Sequence, residues 1–292
     1  MPTQSRPRRS MLYMPGSNTR ALEKARGLAA DALILDLEDA VAPDTKVEAR
    51  ANVCAFAATY GQREVLIRVN GLGTPWGHDD IAAAARSGAH GILIPKVESA
   101  DMVRQVEAIM AASGAPADMA IWCMIETPLG VLHVEEIARA TPRLGGFVMG
   151  TSDLAKDMRC LHTTLRLPFI AAFNLCVMAA RAYGLAILDG VYLDLSDDEG
   201  FAAACLQGRE LGFDGKTLIH PKTIAAANAA FGPTEKELDW ARTIIAAHAA
   251  AEADGKGVVV VDGKLIENLH VVTARQTVAL AEQIAALEAA AA

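Results

Sequence analysis

Eight short apolar runs recur along the first three-quarters of the chain: SMLYM (10–14), ALILDL (32–37), EVLIRV (64–69), GILIPK (91–96), AIWCMIE (120–126), GFVMG (146–150), LAILDGVYL (185–193) and KTLIH (216–220). Between many of them lie segments whose apolar residues fall at helical spacing, at 21–30, 81–87, 102–112, 131–140, 169–183 and 201–211. Strands alternating with helices in this way predict an α/β chain closed into a (β/α)8 TIM barrel. The strands are continuously apolar rather than alternating, as expected of a parallel sheet covered on both faces.

The alternation stops near residue 231. GPTEKE (232–237) breaks the chain, with Gly232 and Pro233 ending one helix and Thr234 placed to cap the next. An alanine-rich helix to about 253, a glycine-flanked hairpin in GKGVVVVDGKLIEN and a last helix from about 270 follow. Residues 1–231 thus form a catalytic barrel. Residues 232–292, too short for a core of their own, read as a C-terminal arm or lid packed on a barrel, either their own or a neighbour's.

Composition narrows the classes. Of 292 residues, 52% are apolar and 21% charged, which is globular rather than disordered. A formal charge of −8 argues against nucleic acid as a partner, because phosphate binding needs a basic face. The five cysteines are odd in number and scattered, so they predict small reduced core residues rather than disulfides or a zinc site. No apolar run reaches the length of a membrane span and the N-terminus leads into no signal core, so the expectation is a cytoplasmic protein with no membrane partner.

In a parallel barrel the reacting groups come from the C-terminal ends of the strands. Those ends carry MPGSN (14–18), then Asp36, Glu38 and Asp39, then Arg68 and Asn70, then Pro95 and Lys96, then Glu126, then Gly150, Thr151 and Asp153, and finally His220. Each has a plainer reading: a carboxylate after a strand is often a helix cap, Lys96 could be a surface lysine and His220 a packed turn residue. Their concentration on one rim points to a site instead. Glu126 and Asp153, ending adjacent strands, could give two oxygens to an octahedral Mg²⁺ that keeps its other positions for water and substrate. No cysteine or histidine set accompanies them, which favours a hard cation over zinc. Glu38 and Asp39 would grip the metal's waters, while Arg68 and Lys96 balance the cluster against an anionic substrate.

Taken in order, RSMLYMPGSN, DALILDLEDAVAPDTKVEAR, IRVN, PKVE, IETPLGV, GTSDLAKDM and LGFDGKTLIHP resemble the citrate lyase β-subunit family of the HpcH/HpaI aldolase superfamily, which includes malyl-coenzyme A lyases and (3S)-malyl-coenzyme A thioesterases. The resemblance implies a Mg²⁺-dependent enzyme acting on a coenzyme A thioester of a 3-hydroxy acid. It puts the metal ligands on Glu126 and Asp153, the substrate arginine on Arg68, the acidic pair on Glu38 and Asp39, and the carboxylate contacts on the backbone of Gly150, Thr151 and Ser152. It also implies a homotrimer or hexamer whose arm covers a neighbour's site and delivers an acidic residue. The lyases usually carry aspartate there; here the matching residue is Glu267, which goes with thioesterase members.

The coenzyme A phosphates need a basic docking point in so acidic a protein. Candidates are Arg8, Arg9, Arg20 and Lys24, beside the turn containing Pro15; the alternative is a solvated arm and an ordinary helix face. The expected reaction is hydrolysis of (3S)-malyl-coenzyme A. Its rivals are carbon–carbon cleavage of malyl- or β-methylmalyl-coenzyme A, a pyruvate aldolase, and a citrate lyase β-like subunit served by a carrier protein.

Overall fold

The computed structural model describes residues 6–253 and 255–291. Residues 1–5 of the expected barrel domain lie outside them. The first half of the barrel runs β1 (Ser10–Pro15), α1 (Thr19–Lys24), β2 (Ala32–Asp36), α2 (Lys46–Phe56), β3 (Glu64–Arg68), α3 (Gly77–Ala84), β4 (Gly91–Ile94) and α4 (Ala100–Ala112). The second runs β5 (Ala120–Ile125), α5 (Pro128–Leu132), α6 (Val134–Ala138), β6 (Leu144–Met149), α7 (Thr151–Met158), α8 (Ile170–Ala182), β7 (Ala186–Asp189), α9 (Asp198–Leu211), β8 (Gly215–Leu218) and α10 (Ile224–Phe231). All eight strands pair in parallel in sequence order, and β8 returns to β1 to close the barrel. The expected (β/α)8 architecture is therefore the one observed.

Two apolar layers hold it together. A small inner cluster, including Met11, Ile34, Leu66, Leu93, Trp122, Met124, Val148 and Leu188, fills the barrel. A larger one, including Leu33, Val53, Ile92, Phe147 and Phe173, seals the strands against the helices. Gly146 makes room for the indole, because a Cβ there would stand 2.5 Å from Trp122 Cζ3.

The period-2 alternation of a strand connects this core to the rim. The inward residues of β2 are Ala32 and Ile34, and Asp36 is next in that series. Leu66 leads to Arg68 on β3 in the same way, and Trp122 and Met124 lead to Glu126 just beyond β5. The polar site is thus the layer that follows the apolar filling.

Some boundaries differ from the apolar pattern. Helices α2 and α7 stand where that pattern predicted none, since each buries only a few small or isolated side chains. β7 ends at Asp189, with GVYL beyond it in a loop rather than a longer strand.

Residues Arg8–Phe231 form one compact unit, and Gly232–Ala292 make up most of a second. In the second, α11 (Glu235–Ala253) and α12 (Asn268–Ala291) pack together around Ala241, Ile244, Ile266, Val271 and Ala274. The hairpin between them is antiparallel β9 (Val259–Val261) and β10 (Lys264–Ile266), turning through Asp262 and Gly263, both at positive φ. Among the described residues, all five cysteines are free, and no helix is long and apolar enough to cross a membrane.

Candidate active site

Asp36 closes β2 and Arg68 closes β3, and the two are register partners. Their side chains meet in a fork: Arg68 Nε donates to Asp36 Oδ1 and Nη2 to Oδ2, both at 2.6 Å, with both residues buried. Asp36 also accepts from the backbone N–H groups of Glu38 and Ala40, which folds the DLEDA turn back over the strand end. The remaining guanidinium nitrogen, Nη1, is 2.8 Å from Glu38 Oε2 and 3.6 Å from Asp39 Oδ2. Beneath it lies the Tyr13 ring, whose centroid is 4.8 Å from Arg68 Cζ. Burial opposes charge on Arg68, but Asp36 and Glu38 outweigh it and hold the guanidinium firmly ionised.

The second half of the rim is built around Lys96. Its backbone is left-handed, at φ 49°, a conformation uncommon for a side chain other than glycine. This turn aims the Lys96 N–H at Glu126 Oε1, 2.8 Å away. The ammonium reaches Glu38 Oε1 at 2.9 Å and Asp153 Oδ2 at 3.3 Å, so one lysine touches all three carboxylates through its two ends. Asp153 sits in the first turn of α7 and also pairs with Lys156 at 2.7 Å. Partial burial opposes its ionisation, yet Lys156 and Lys96 together hold its carboxyl below the usual range.

Glu126 behaves oppositely. Burial pushes its carboxyl up to about 7, with the nearby Glu38 charge adding to the shift. Glu38 is raised by burial as well, against the pull of Arg68 and Lys96. Gly150 lies directly against Glu126, and a Cβ there would fall onto both Glu126 Cβ and Oε2. Thr151, Ser152 and Asp153 then open α7, where the first backbone N–H groups have no partner within the helix and favour an anion.

Arg68, Glu38, Asp39, Lys96, Glu126, Asp153 and the Gly150–Thr151–Ser152 turn therefore come together on one rim. Pro15 ends β1 on the same face, and Arg20 and Lys24 are exposed on the helix that follows it. Arg9 does not join them. It precedes β1 at the opposite mouth of the barrel, where its guanidinium pairs with Asp31 at 2.8 Å and is buried. Arg8 is spent in the same way on Glu64 and the face of Trp122. His220 is a turn residue, accepting from the Lys222 N–H. Glu267 belongs to the second unit, exposed just before α12, with its N–H donating to His270 Nδ1.

Two residues gain a role that the strand-end reading did not give them. Asp36 is the partner that orients Arg68, and Tyr13 is the floor beneath it. The inward parity of Met11 and Tyr13 was the available signal for the latter.

A closed parallel barrel whose C-terminal rim gathers a buried carboxyl, further carboxylates, a lysine and a forked arginine has the layout of a barrel enzyme's active site. The chain belongs to the HpcH/HpaI aldolase/citrate lyase family, whose model matches residues 9–221. It is 53% identical over 291 residues to a (3S)-malyl-CoA thioesterase of Cereibacter sphaeroides strain ATCC 17029, covering 99% of this chain and 100% of that one. It is 37% identical over 311 residues to an L-malyl-CoA/beta-methylmalyl-CoA lyase of C. sphaeroides strain ATCC 17025, with 98% of each covered. The structure is similar, at TM-score 0.75 and 28% identity over 94% of this chain and 97% of the other, to CitE of Mycobacterium tuberculosis in complex with magnesium, acetoacetate and coenzyme A. The chain is thus an enzyme of the CitE-like group, whose relatives include a thioesterase and a lyase of malyl-CoA and a citrate lyase subunit.

Proposed function

We propose that this enzyme hydrolyses a malyl-type coenzyme A thioester, (3S)-malyl-coenzyme A, to malate and free coenzyme A, with Mg²⁺ as its cofactor. The observation that carries the choice of hydrolysis over cleavage is the end-to-end similarity to the thioesterase at 53% identity, against 37% for the lyase. The rim supports the metal. Glu126 is a carboxyl raised by burial and by the Glu38 charge, and Lys96 links it to a second carboxylate, Asp153, through its N–H and its ammonium. Two hard oxygen donors on adjacent strand ends suit Mg²⁺.

Bound by Glu126 and Asp153, Mg²⁺ would supply Lewis-acid polarisation of the substrate oxygens. The chain's own groups do the rest. The N-terminal turn of α7, through the N–H groups of Thr151 and Ser152, receives the malyl carboxylate. Arg68, fixed by Asp36, offers its Nη1 edge to charge developing on the thioester oxygen, and the fork keeps that donor from reorganising during the reaction. Glu38 and Asp39 orient water and Lys96 at the mouth. Arg20, Lys24 and the Pro15 turn meet the coenzyme A phosphates.

Glu267 would take the proton from the attacking water as general base. A neighbouring copy's arm would present it, in a homotrimer or hexamer. In the lyase alternative the same rim binds the substrate and the arm acid protonates the acetyl enolate.

The test incubates purified protein with malyl-coenzyme A, with Mg²⁺ or with EDTA, and identifies the products. Malate and free thiol, formed only with Mg²⁺, support the proposal. Glyoxylate with acetyl-coenzyme A would replace it by the lyase reading, and full activity in EDTA would remove the metal.

A further inference from the structure

Below the α7 turn, on the β7–β8 side of the barrel, lies a charged cluster that the proposed reaction does not use. Asp189 closes β7 fully buried, and two cations converge on it. Arg166 Nη1 donates to both its oxygens at 2.8 and 2.7 Å, and Lys216 Nζ donates to Oδ2 at 2.8 Å. Lys216 is also buried, although it stands on a barrel strand where an apolar residue would pack without a desolvation cost. Arg166 is held in a left-handed conformation, φ 53°, inside the loop that follows α7. Its other nitrogens bond Gln207 Oε1 at 2.6 Å and the Ala204 carbonyl at 3.1 Å on α9. Two positive charges against one negative, away from water, are more than packing alone calls for.

The same cluster grips one residue from both sides. The N–H of Gly190 donates to Asp189 Oδ1 at 2.8 Å, and its carbonyl accepts from Lys216 Nζ at 2.5 Å. Gly190 in turn presses on the turn between β6 and α7: a Cβ at that position would lie 2.7 Å from the Met149 carbonyl oxygen and 2.8 Å from Thr151 Oγ1. On the far side of that turn Gly150 abuts Glu126, and three residues after it is Asp153. The contacts run from Lys216 and Arg166, through Asp189 and Gly190, to the turn that leads into Asp153 and abuts Glu126.

We propose that Lys216, Arg166 and Asp189 form a positioning clamp: by fixing the Gly190 peptide they hold the Gly150–Thr151 turn, and with it the placement of Glu126 and Asp153 for a divalent cation. The residual positive charge of the clamp, one peptide away, also favours an anionic group at the start of α7. The inference rests on the metal reading above.

Isothermal titration of Mg²⁺ into the full-length protein without substrate tests it. Lys216→Met removes one arm of the clamp. Gly190→Ala leaves every charge in place and displaces the turn sterically. Arg63→Met is the control, because Arg63 is a buried arginine bonded to the Ala25 and Leu28 carbonyls on another part of the barrel. The clamp predicts that Lys216→Met and Gly190→Ala each weaken Mg²⁺ binding roughly tenfold or more, the size of effect seen when outer residues of a metal site are removed. Arg63→Met should lower the melting temperature while keeping wild-type affinity.

Wild-type affinity in folded Lys216→Met overturns the clamp, as does equal weakening in Arg63→Met. If Lys216→Met fails to fold, Gly190→Ala decides in the same terms. Absence of Mg²⁺ binding by the wild type would instead overturn the metal reading and the clamp with it.

Discussion

Arg68 and Asp36 face each other from neighbouring strands with two parallel hydrogen bonds of 2.6 Å, and this fork fixes the guanidinium with its Nη1 edge beside Glu38. Lysine is a point donor and cannot reproduce the fork. Arg68→Lys should therefore lower kcat by roughly 10²–10³-fold, the range for losing a fixed donor to developing charge. The melting temperature should change little by comparison. Asp36→Ala leaves a buried guanidinium short of its partner and should cost about 3–5 kcal/mol of stability in a denaturant titration.

Gly150 is required by space rather than by conformation. Since a Cβ would coincide with Glu126, Gly150→Ala must move either the turn or the carboxylate. A displacement of about 1 Å at a reacting centre can cost on the order of 10²-fold in rate. The variant should stay folded by circular dichroism and lose at least that much activity at saturating substrate.

The raised pKa of Glu126 makes a statement about stability. Its carboxyl titrates near 4.5 when ordinary and is pushed up to about 7 in the fold, chiefly by burial. A raised acid favours the protonated form in the folded state, so its contribution is fully present below 4.5 and lost as pH rises through about 7. In EDTA the melting temperature should fall over that window, and Glu126→Gln should flatten the decline. Saturating Mg²⁺ should oppose it, by roughly 2.7 kcal/mol at a hundredfold excess over the dissociation constant.

Glu267 offers a cleaner separation of chemistry from folding, because its side chain is exposed in its own unit. Glu267→Gln should leave the melting temperature unchanged and reduce thioester hydrolysis by about 10²–10⁴-fold, the usual share of a general base. Hydrolysis at the wild-type rate would remove it from the mechanism.

Much of this was legible in the chain. The eight strands announce themselves because parallel strands buried on both faces leave unbroken apolar runs, and much of the rim follows because several of those runs end in charged residues. Helix α2 escaped the same reading since its inner face is Lys46, Ala49 and Val53, too sparse and mixed for a clear period. The left-handed Lys96 escaped because nothing in PKVE distinguishes a lysine bent to aim its N–H from one on the surface. Arg9 looked available for coenzyme A phosphates. Its pairing with Asp31 joins the starts of two strands, and basic composition alone cannot say at which mouth of a barrel a residue lies.

The most direct test of the central claim is to turn over malyl-coenzyme A in water enriched in ¹⁸O and weigh the products. Hydrolysis predicts malate carrying one heavy oxygen in the carboxylate farther from the hydroxyl, together with free coenzyme A. Glyoxylate and acetyl-coenzyme A, with no labelled malate, would contradict it.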